Sequence, residues 1–425
     1  MLIGMLFGSL FLLLFLGVPI GTSLGVAAAL TMYFTGNNQY LNATVTRLFT
    51  QVDNFVLMAI PFFILAGNIM AEGGISKRLI SFFEIVLKAV PGRLSIISVV
   101  ASAFFGAISG SNPATVAAIG GITAPRMLEK GYPRDKVAAI AASAGTLGVV
   151  IPPSIPMVTY AVTADQSILK MFQAGWVPGI MLALALCITN VITCRSYDEI
   201  DRTKYTGKDY LIRFKDALLA LLMPVIILGG IYAGIFTPTE SAAVACVYAL
   251  IVSSVVYHEL TFKILFKIFL DSVVSAACVL FVVAMSSPFA WFMTSEDVPT
   301  IICNAALALF SNRFVMLFVI NIILLFLGCF LETQSIILLV TPILLPLCGF
   351  LGISPVALGL IIIVNTSIGM ITPPMAVNLF VAAGITGSTI GGVSKKILLY
   401  LGIEFGVLLL YTYIPAITGF SLGAG

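Results

Sequence analysis

Two stretches of this chain, Gly148-Val-Val-Ile-Pro152-Pro153 and Gly369-Met-Ile-Thr-Pro373-Pro374, place reactive backbone where an unbroken apolar helix would hide it. Proline has no N–H, so inside a helix it deprives the carbonyl four residues earlier of its donor. Pro152 and Pro153 thereby release the carbonyls of Gly148 and Val149, and Pro373 and Pro374 release those of Gly369 and Met370. At membrane depth such carbonyls are tolerated only where protein buries them or where they line a cavity, and hard cations draw their ligands from oxygens of this kind. Paired breaks in the two halves of one membrane chain point to the substrate and ion site of a secondary transporter.

Two more polar centres interrupt apolar stretches, Ser109-Gly110-Ser111-Asn112-Pro113 within 94–128 and Glu332-Thr333-Gln334-Ser335 within 315–349. Both read as tips of re-entrant hairpins. Pro113 would release the carbonyl of Ser109 and Pro152 that of Gly148, with Ser111, Asn112, Ile151 and Pro153 within reach of the same break, so these six form the first candidate cation-ligand set. Its mate in the second half is Gly328 from the hairpin with Gly369, Thr372 and Met375 from the broken helix. An anionic substrate needs donors, and half-helix N-termini at hairpin tips supply them. Substrate candidates are Ser111, Asn112 and Thr115 on one side and Thr366, Thr372, Pro373 and Asn378 on the other. No Arg or Lys falls at a predicted midplane position, so carboxylate binding would lean on backbone dipoles, hydroxyls, amides and a nearby bound cation.

The elements that position these groups follow from composition. With 60% hydrophobic residues and 9% charged, and a mean hydropathy of +1.14, the chain is an integral membrane protein. Spans are predicted near 2–17, 19–34, 54–71, 137–164, 172–194, 217–236, 239–257, 272–293, 357–386 and 397–418. The first segment lacks a basic n-region and reads as mature helix rather than a cleaved leader. Threading the chain with its N-terminus outside and both hairpins re-entrant puts all but Arg47, Lys170 and Arg313 of the 21 Lys and Arg residues in the cytoplasm. Treating either hairpin as a full span would spoil that asymmetry, and both termini are accordingly expected in the periplasm.

An offset of 221 residues pairs Pro125 with Pro346, Gly131 with Gly352, Gly148 with Gly369 and both double prolines. The fold class is therefore all-α, with two inverted-topology repeats, each of five transmembrane spans and a re-entrant hairpin. The expected division is 1–93 scaffold and arm, 94–165 hairpin and broken helix, 166–194 last span of the first repeat, and 195–215 cytoplasmic linker. The second repeat follows as 216–314 scaffold and arm, 315–386 hairpin and broken helix, and 387–425 the C-terminal span. Segments 94–165 and 315–386 would move together; the other spans would form the scaffold, with amphipathic arms at 76–90 and 298–312.

Several motifs then carry a family resemblance. Ser-Gly-Ser-Asn-Pro-Ala-Thr-Val-Ala-Ala-Ile-Gly (109–120), Pro-Pro-Ser-Ile-Pro (152–156), Ala-Gly-Trp-Val-Pro-Gly (174–179), Phe-Thr-Pro-Thr-Glu-Ser-Ala-Ala (236–243) and Thr-Pro-Pro-Met-Ala-Val-Asn-Leu-Phe-Val (372–381) resemble the large membrane subunit of tripartite ATP-independent periplasmic (TRAP) transporters. The resemblance runs along the whole chain. It implies the architecture of elevator-type ion transporters, in a bacterial inner-membrane importer of small organic acids such as C4-dicarboxylates or sialic acid, driven by two or more sodium ions. It also implies a small four-helix membrane subunit and a periplasmic binding protein as partners, and no organic cofactor.

Blander readings stand beside these. Ser102, Ser143 and Thr146 read as helix-packing residues, and Pro61 and Pro224 as kinks. Glu240 reads as an N-terminal helix cap rather than an ion-coupling group, and Asp165 as a helix terminator. Seven scattered Cys and a lone His258 offer no metal cluster and no nucleophile–base pair, which argues against an enzyme. A stand-alone ion-coupled exchanger would share the hairpins and breaks, and a channel could share re-entrant loops. The outer loops near 35–52, 165–171, 295–300 and 349–355 are candidate contacts for a soluble partner.

Overall fold

The computed structural model describes residues 2–36, 39–197, 206–310 and 312–418; Arg202 and Lys204 of the expected linker lie outside the described residues. The first repeat runs α1 (Leu2–Phe15), α2 (Ile20–Phe34), α3 (Gln39–Val52), α4 (Ala59–Glu72) and the arm α5 (Ile75–Val86). A hairpin follows: α6 (Arg93–Ser109), then α7 (Asn112–Thr115), a π-helical turn and α8 (Gly121–Glu129). The broken helix is α9 (Arg134–Gly145), α10 (Leu147–Val150) and α11 (Ile155–Thr163), and α12 (Ile168–Cys194) closes the repeat. The second repeat is α13 (Gly207–Tyr232), α14 (Pro238–Ile251), α15 (Phe262–Ser295), the arm α16 (Val298–Leu309), the hairpin α17 (Arg313–Phe330) and α18 (Thr333–Leu344), and α19 (Cys348–Leu351). It ends with α20 (Pro355–Gly369), α21 (Val377–Thr386) and α22 (Ile390–Thr418). Among the described residues, seven helices are long and apolar enough to cross a membrane, and α9–α11 makes an eighth, bent by 42°.

Local chemistry sets the helix boundaries. Thr237 and Glu240 cap α14 reciprocally: the Thr237 N–H and hydroxyl each donate at 2.8 Å to the Glu240 carboxylate, and the Glu240 N–H returns to Thr237 Oγ1 at 3.3 Å. Glu240 is thus the cap that its position suggested. Asp165 follows α11 in left-handed geometry, φ 52°, and ends that helix. Pro61 sits in the first turn of α4, where an N–H has no partner to lose, so it does not kink the span. Residues 207–215, assigned to the linker, instead begin α13, because Thr206 and Asp209 form a second reciprocal cap. The outer segment 35–52, read as a loop, contains α3; its Tyr40 ring meets Trp291 edge-on at 5.2 Å and its Arg47 guanidinium lies 5.1 Å over the same indole. That docking on α15 orders a helix whose own sequence is too mixed to announce one.

Packing groups the spans differently from the expected division. Helix α12 packs extensively on α6 and α22, and α22 on α9 and α20, so both end spans join the hairpins and broken helices rather than the scaffold. Buried amides fasten this group. Asn190 of α12 donates to the Ser95 carbonyl at 3.2 Å and accepts from the Tyr400 hydroxyl at 2.8 Å. Asn365 of α20 donates to Asn321 of α17, and Asn321 donates to Thr412 of α22. Interhelical hydrogen bonds in a bilayer contribute roughly 0.6–2 kcal/mol each. The apolar composition of α12 and α22 matches the scaffold's, and their packing shows instead in tertiary bonds made by Asn190 of α12 and by Tyr400 and Thr412 of α22. The other group runs as a chain of contacts, α2 on α15, α15 on α4 and α4 on α14, with α13 on α14 and on the arm α5.

Candidate functional site

Each hairpin's first helix runs against the break of its own repeat through paired glycines. A Cβ on Gly106 would stand 2.8 Å from the Gly148 Cα, and one on Gly328 would stand 2.9 Å from the Gly369 Cα. Side chains of any size would hold these backbones apart, so the four glycines bring tip and break together. Sequence reasoning named Gly148, Gly328 and Gly369 and missed Gly106, the fourth corner.

At the first tip the chain reverses through Gly110, φ 57°, and Ser111 caps the short α7. The Ser111 carbonyl accepts the Thr115 hydroxyl at 2.7 Å, and Thr115 Oγ1 lies 3.1 Å from Ser109 Oγ. Asn112 is 1% exposed and donates from Nδ2 to Ser367 Oγ at 2.7 Å, and Ser367 donates onward to the Thr146 carbonyl at 2.8 Å. One amide thus links hairpin tip, second broken helix and first broken helix. The other end of that amide, Asn112 Oδ1, is buried without a partner.

The prolines release fewer carbonyls than their positions imply. Ser154 donates its hydroxyl to the Val149 carbonyl at 2.6 Å, the Thr372 N–H bonds the Gly369 carbonyl at 2.9 Å, and the Asn378 N–H bonds the Met370 carbonyl at 3.1 Å. Among the described residues, of the carbonyls that the prolines release, those of Ser109 and Gly148 gain no substitute donor. A side-chain hydroxyl at the first break and backbone N–H groups at the second recover most of the bonds that proline removes, as buried carbonyls demand.

A cavity of about 360 Å³ lies between the two hairpin tips and helices α4 and α15. Ser109, Ser111 and Asn112 line it from the first tip, Glu332, Thr333 and Gln334 from the second, and Asn68 and Ser275 from α4 and α15. Its size suits a small organic molecule. Glu332 is the one charged side chain in this lining, and Gln334 adds another buried oxygen, Oε1, without a partner.

The remaining sequence candidates fall elsewhere. Thr115 is fully buried with its hydroxyl spent on Ser111, and Thr366 is fully buried with its hydroxyl on the Ile362 carbonyl at 2.8 Å. Ile151 and Pro153 are buried in the break, behind the cavity wall. Thr372 bonds the Ile368 carbonyl, Pro373 is half-buried and Met375 is 57% exposed, so the second break points its proline turn outward. Asn378 is buried against the Ala142 carbonyl at 3.4 Å. Only Met370 reaches the cavity from that break. The missed lining residues are Glu332, Thr333, Gln334, Asn68 and Ser275; the polar centre 332–335 was the signal for the first three, and nothing in the apolar α4 and α15 marked the other two.

Comparison with known proteins fits this architecture. A family model described as the DctM component of the tripartite ATP-independent periplasmic transporter matches residues 7–417. An isethionate TRAP transporter permease, DctMQ, from Oleidesulfovibrio alaskensis is 42% identical over 93% of this chain, which spans 62% of that relative's length. A C4-dicarboxylate TRAP transporter large permease from Pseudomonas aeruginosa is 41% identical over 88% of this chain and 87% of its own. A sialic acid TRAP transporter large permease from Vibrio cholerae is 34% identical over 92% of each. The solved structure of the Alcanivorax borkumensis YdaH transporter shares the fold, with a TM-score of 0.65 at 14% identity and 90% of each chain covered. Duplicated breaks, paired hairpins and a sequence match along nearly the whole chain place this protein in the DctM family, the large membrane component of TRAP transporters.

Proposed function

We propose that this chain imports a small organic anion across the inner membrane by an elevator movement driven by sodium, taking its substrate from a periplasmic binding protein and working beside a small four-helix membrane subunit. The observation that carries the reading is the position of the cavity. One wall belongs to the hairpin tips and the other to α4 and α15, so a ligand held by the tips travels when the hairpin group slides along those helices.

Charge supports a cation as co-ligand. The cavity lining has no Lys or Arg and one carboxylate, Glu332, which repels an anion. The partnerless oxygens of Asn112 and Gln334 are suitable hard ligands, and a sodium ion among them offsets the negative charge on both sides. The tip hydroxyls and the N–H groups opening α7 then orient the anion's oxygens. Relatives carry names of three different substrates, a sulfonate, C4-dicarboxylates and a sialic acid, and the common denominator is a small organic anion. The bias of basic residues supports termini on the periplasmic side.

The test is uptake of radiolabelled C4-dicarboxylate, isethionate or sialic acid into proteoliposomes holding this chain and its small membrane partner. An imposed sodium gradient and the cognate binding protein should both be required. Uptake without the soluble protein would make the chain a stand-alone symporter, and uptake indifferent to sodium would remove the cation from the reading.

A further inference from the structure

Glu404 is the one carboxylate in the interior of α22, between Tyr400 and Leu408, and its side chain is 0% exposed. Neither carboxyl oxygen has a hydrogen-bond partner. The Thr146 hydroxyl lies toward it, yet that hydroxyl donates at 2.7 Å to the Ser143 carbonyl. Tyr400, a turn away on the same helix, donates to Asn190. Among the described residues, no cation on the helices packed against α22 pairs with Glu404. Helix α9 carries Arg134, Asp135 and Lys136 in its first turn, α12 carries Lys170, Cys187 and Cys194, α17 carries Arg313 and Cys329, and α20 and α21 carry no titratable group. Lys395 and Lys396 stand two turns or more earlier on α22, and Tyr411 and Tyr413 two turns later. None of these bonds or pairs with Glu404.

An isolated carboxylate in a packed membrane interior is untenable, and intramembrane acids mark ion or proton pathways. We infer that Glu404 binds a monovalent cation, sodium or a proton, inside the hairpin group and behind the cavity. A cation there has oxygen at hand: the two carboxyl oxygens, Thr146 Oγ1 and, 2.7 Å from that hydroxyl, the Ser143 carbonyl. The site is wired to the first hairpin tip. The Thr146 carbonyl accepts from Ser367, which accepts from Asn112, so both broken helices and the tip form one hydrogen-bonded path, and Thr146 is the end of it that lies beside Glu404. The inference goes beyond the reading of the tips as sodium sites and holds whether or not sodium binds there.

The test compares the wild type, Glu404→Gln and Glu404→Asp, full-length and reconstituted with the small membrane partner. Radioactive sodium is the probe for one arm, and the infrared C=O stretch of a protonated carboxylic acid in sodium-free buffer is the readout of the other. Loss of a bound sodium ion per chain in Glu404→Gln identifies sodium as the occupant. Loss of a carboxylic-acid band in Glu404→Gln with the sodium count unchanged identifies the proton. Glu404→Asp keeps the charge but withdraws it by a methylene, so it weakens sodium binding several-fold or shifts the band, and supplies the readout should the Gln variant not fold. Sodium count, sodium affinity and infrared spectrum unaltered in the variants that fold would overturn the assignment. Asn112→Ala separates the two readings, since it removes tip sodium without touching the band.

Discussion

Gly328 and Gly369 meet backbone to backbone, the first on the hairpin and the second at the break, with no room between them for a methyl group: a Cβ on Gly328 would lie 2.9 Å from the Gly369 Cα and 3.1 Å from the Thr366 carbonyl oxygen. Backbone cannot yield as a side-chain tip can. Gly328→Ala should therefore cost about 1–3 kcal/mol by overpacking and move the second tip off its seat. Thermal unfolding in detergent should fall by several degrees, and transport should be lost more completely than stability. Gly4→Ala, with open space around the position, serves as the control and should change neither.

Asn112 has two separable duties. Its Nδ2 bonds Ser367, and its Oδ1 faces a site with no protein partner. Ser367→Ala removes the first and leaves the second, at a cost of about 1–3 kcal/mol for the buried amide left unpaired. Asn112→Ala removes both. The expected pattern in uptake at graded sodium is a weaker protein with near-normal sodium dependence for Ser367→Ala, and a strongly raised sodium requirement for Asn112→Ala. Equal sodium curves for the two variants would deny Oδ1 a role as a cation ligand.

The architecture was legible in the sequence because its strongest signals are local. Double prolines, polar tips inside apolar runs and the Lys/Arg bias each mark an element without reference to its neighbours. What the sequence hid was tertiary. Ser154 supplies the hydroxyl that re-satisfies Val149, and the N–H of Asn378 reaches back eight residues to Met370, so neither repair follows from helical periodicity. Asn68 and Ser275 enter the cavity only because α4 and α15 stand opposite the tips. Likewise α12 joins the hairpin group through Asn190, and α22 through Tyr400 and Thr412, single polar groups that periodicity does not mark.

Asp209 gives the start of α13 a pH dependence. The N–H and then the hydroxyl of Thr206 hold its carboxyl below the ordinary carboxylate range, with Arg213 adding to the effect. A value lowered by folding means that the cap stabilises above the unfolded carboxyl's pKa, about 3.9, and that this support is lost as pH falls through the lower folded value. Hydrogen exchange at residues 207–212 should accelerate as pH drops below about 4, beyond the intrinsic rate change. Asp209→Asn should exchange faster already at neutral pH and show no such step.

Glu84 ties three parts of the protein at the predicted cytoplasmic face. From the arm α5 it pairs with Arg126 at the end of the first hairpin and lies 3.9 Å from Arg213 of α13, which also donates to the Ser81 carbonyl at 3.0 Å. Two of these side chains are more than a third exposed, so the pairs contribute only about 0–1 kcal/mol to folding. Under the proposed elevator movement their effect would be kinetic, because Arg126 belongs to the hairpin group and Arg213 to the other, and sliding one along the other would part them. Glu84→Gln should leave thermal stability within about 1 kcal/mol of wild type while altering the rate of transport. Raising ionic strength should shift the wild-type rate in the same direction, since salt screens exposed pairs, and should affect Glu84→Gln less. Identical salt profiles for the two proteins would show that this contact does not restrain the movement.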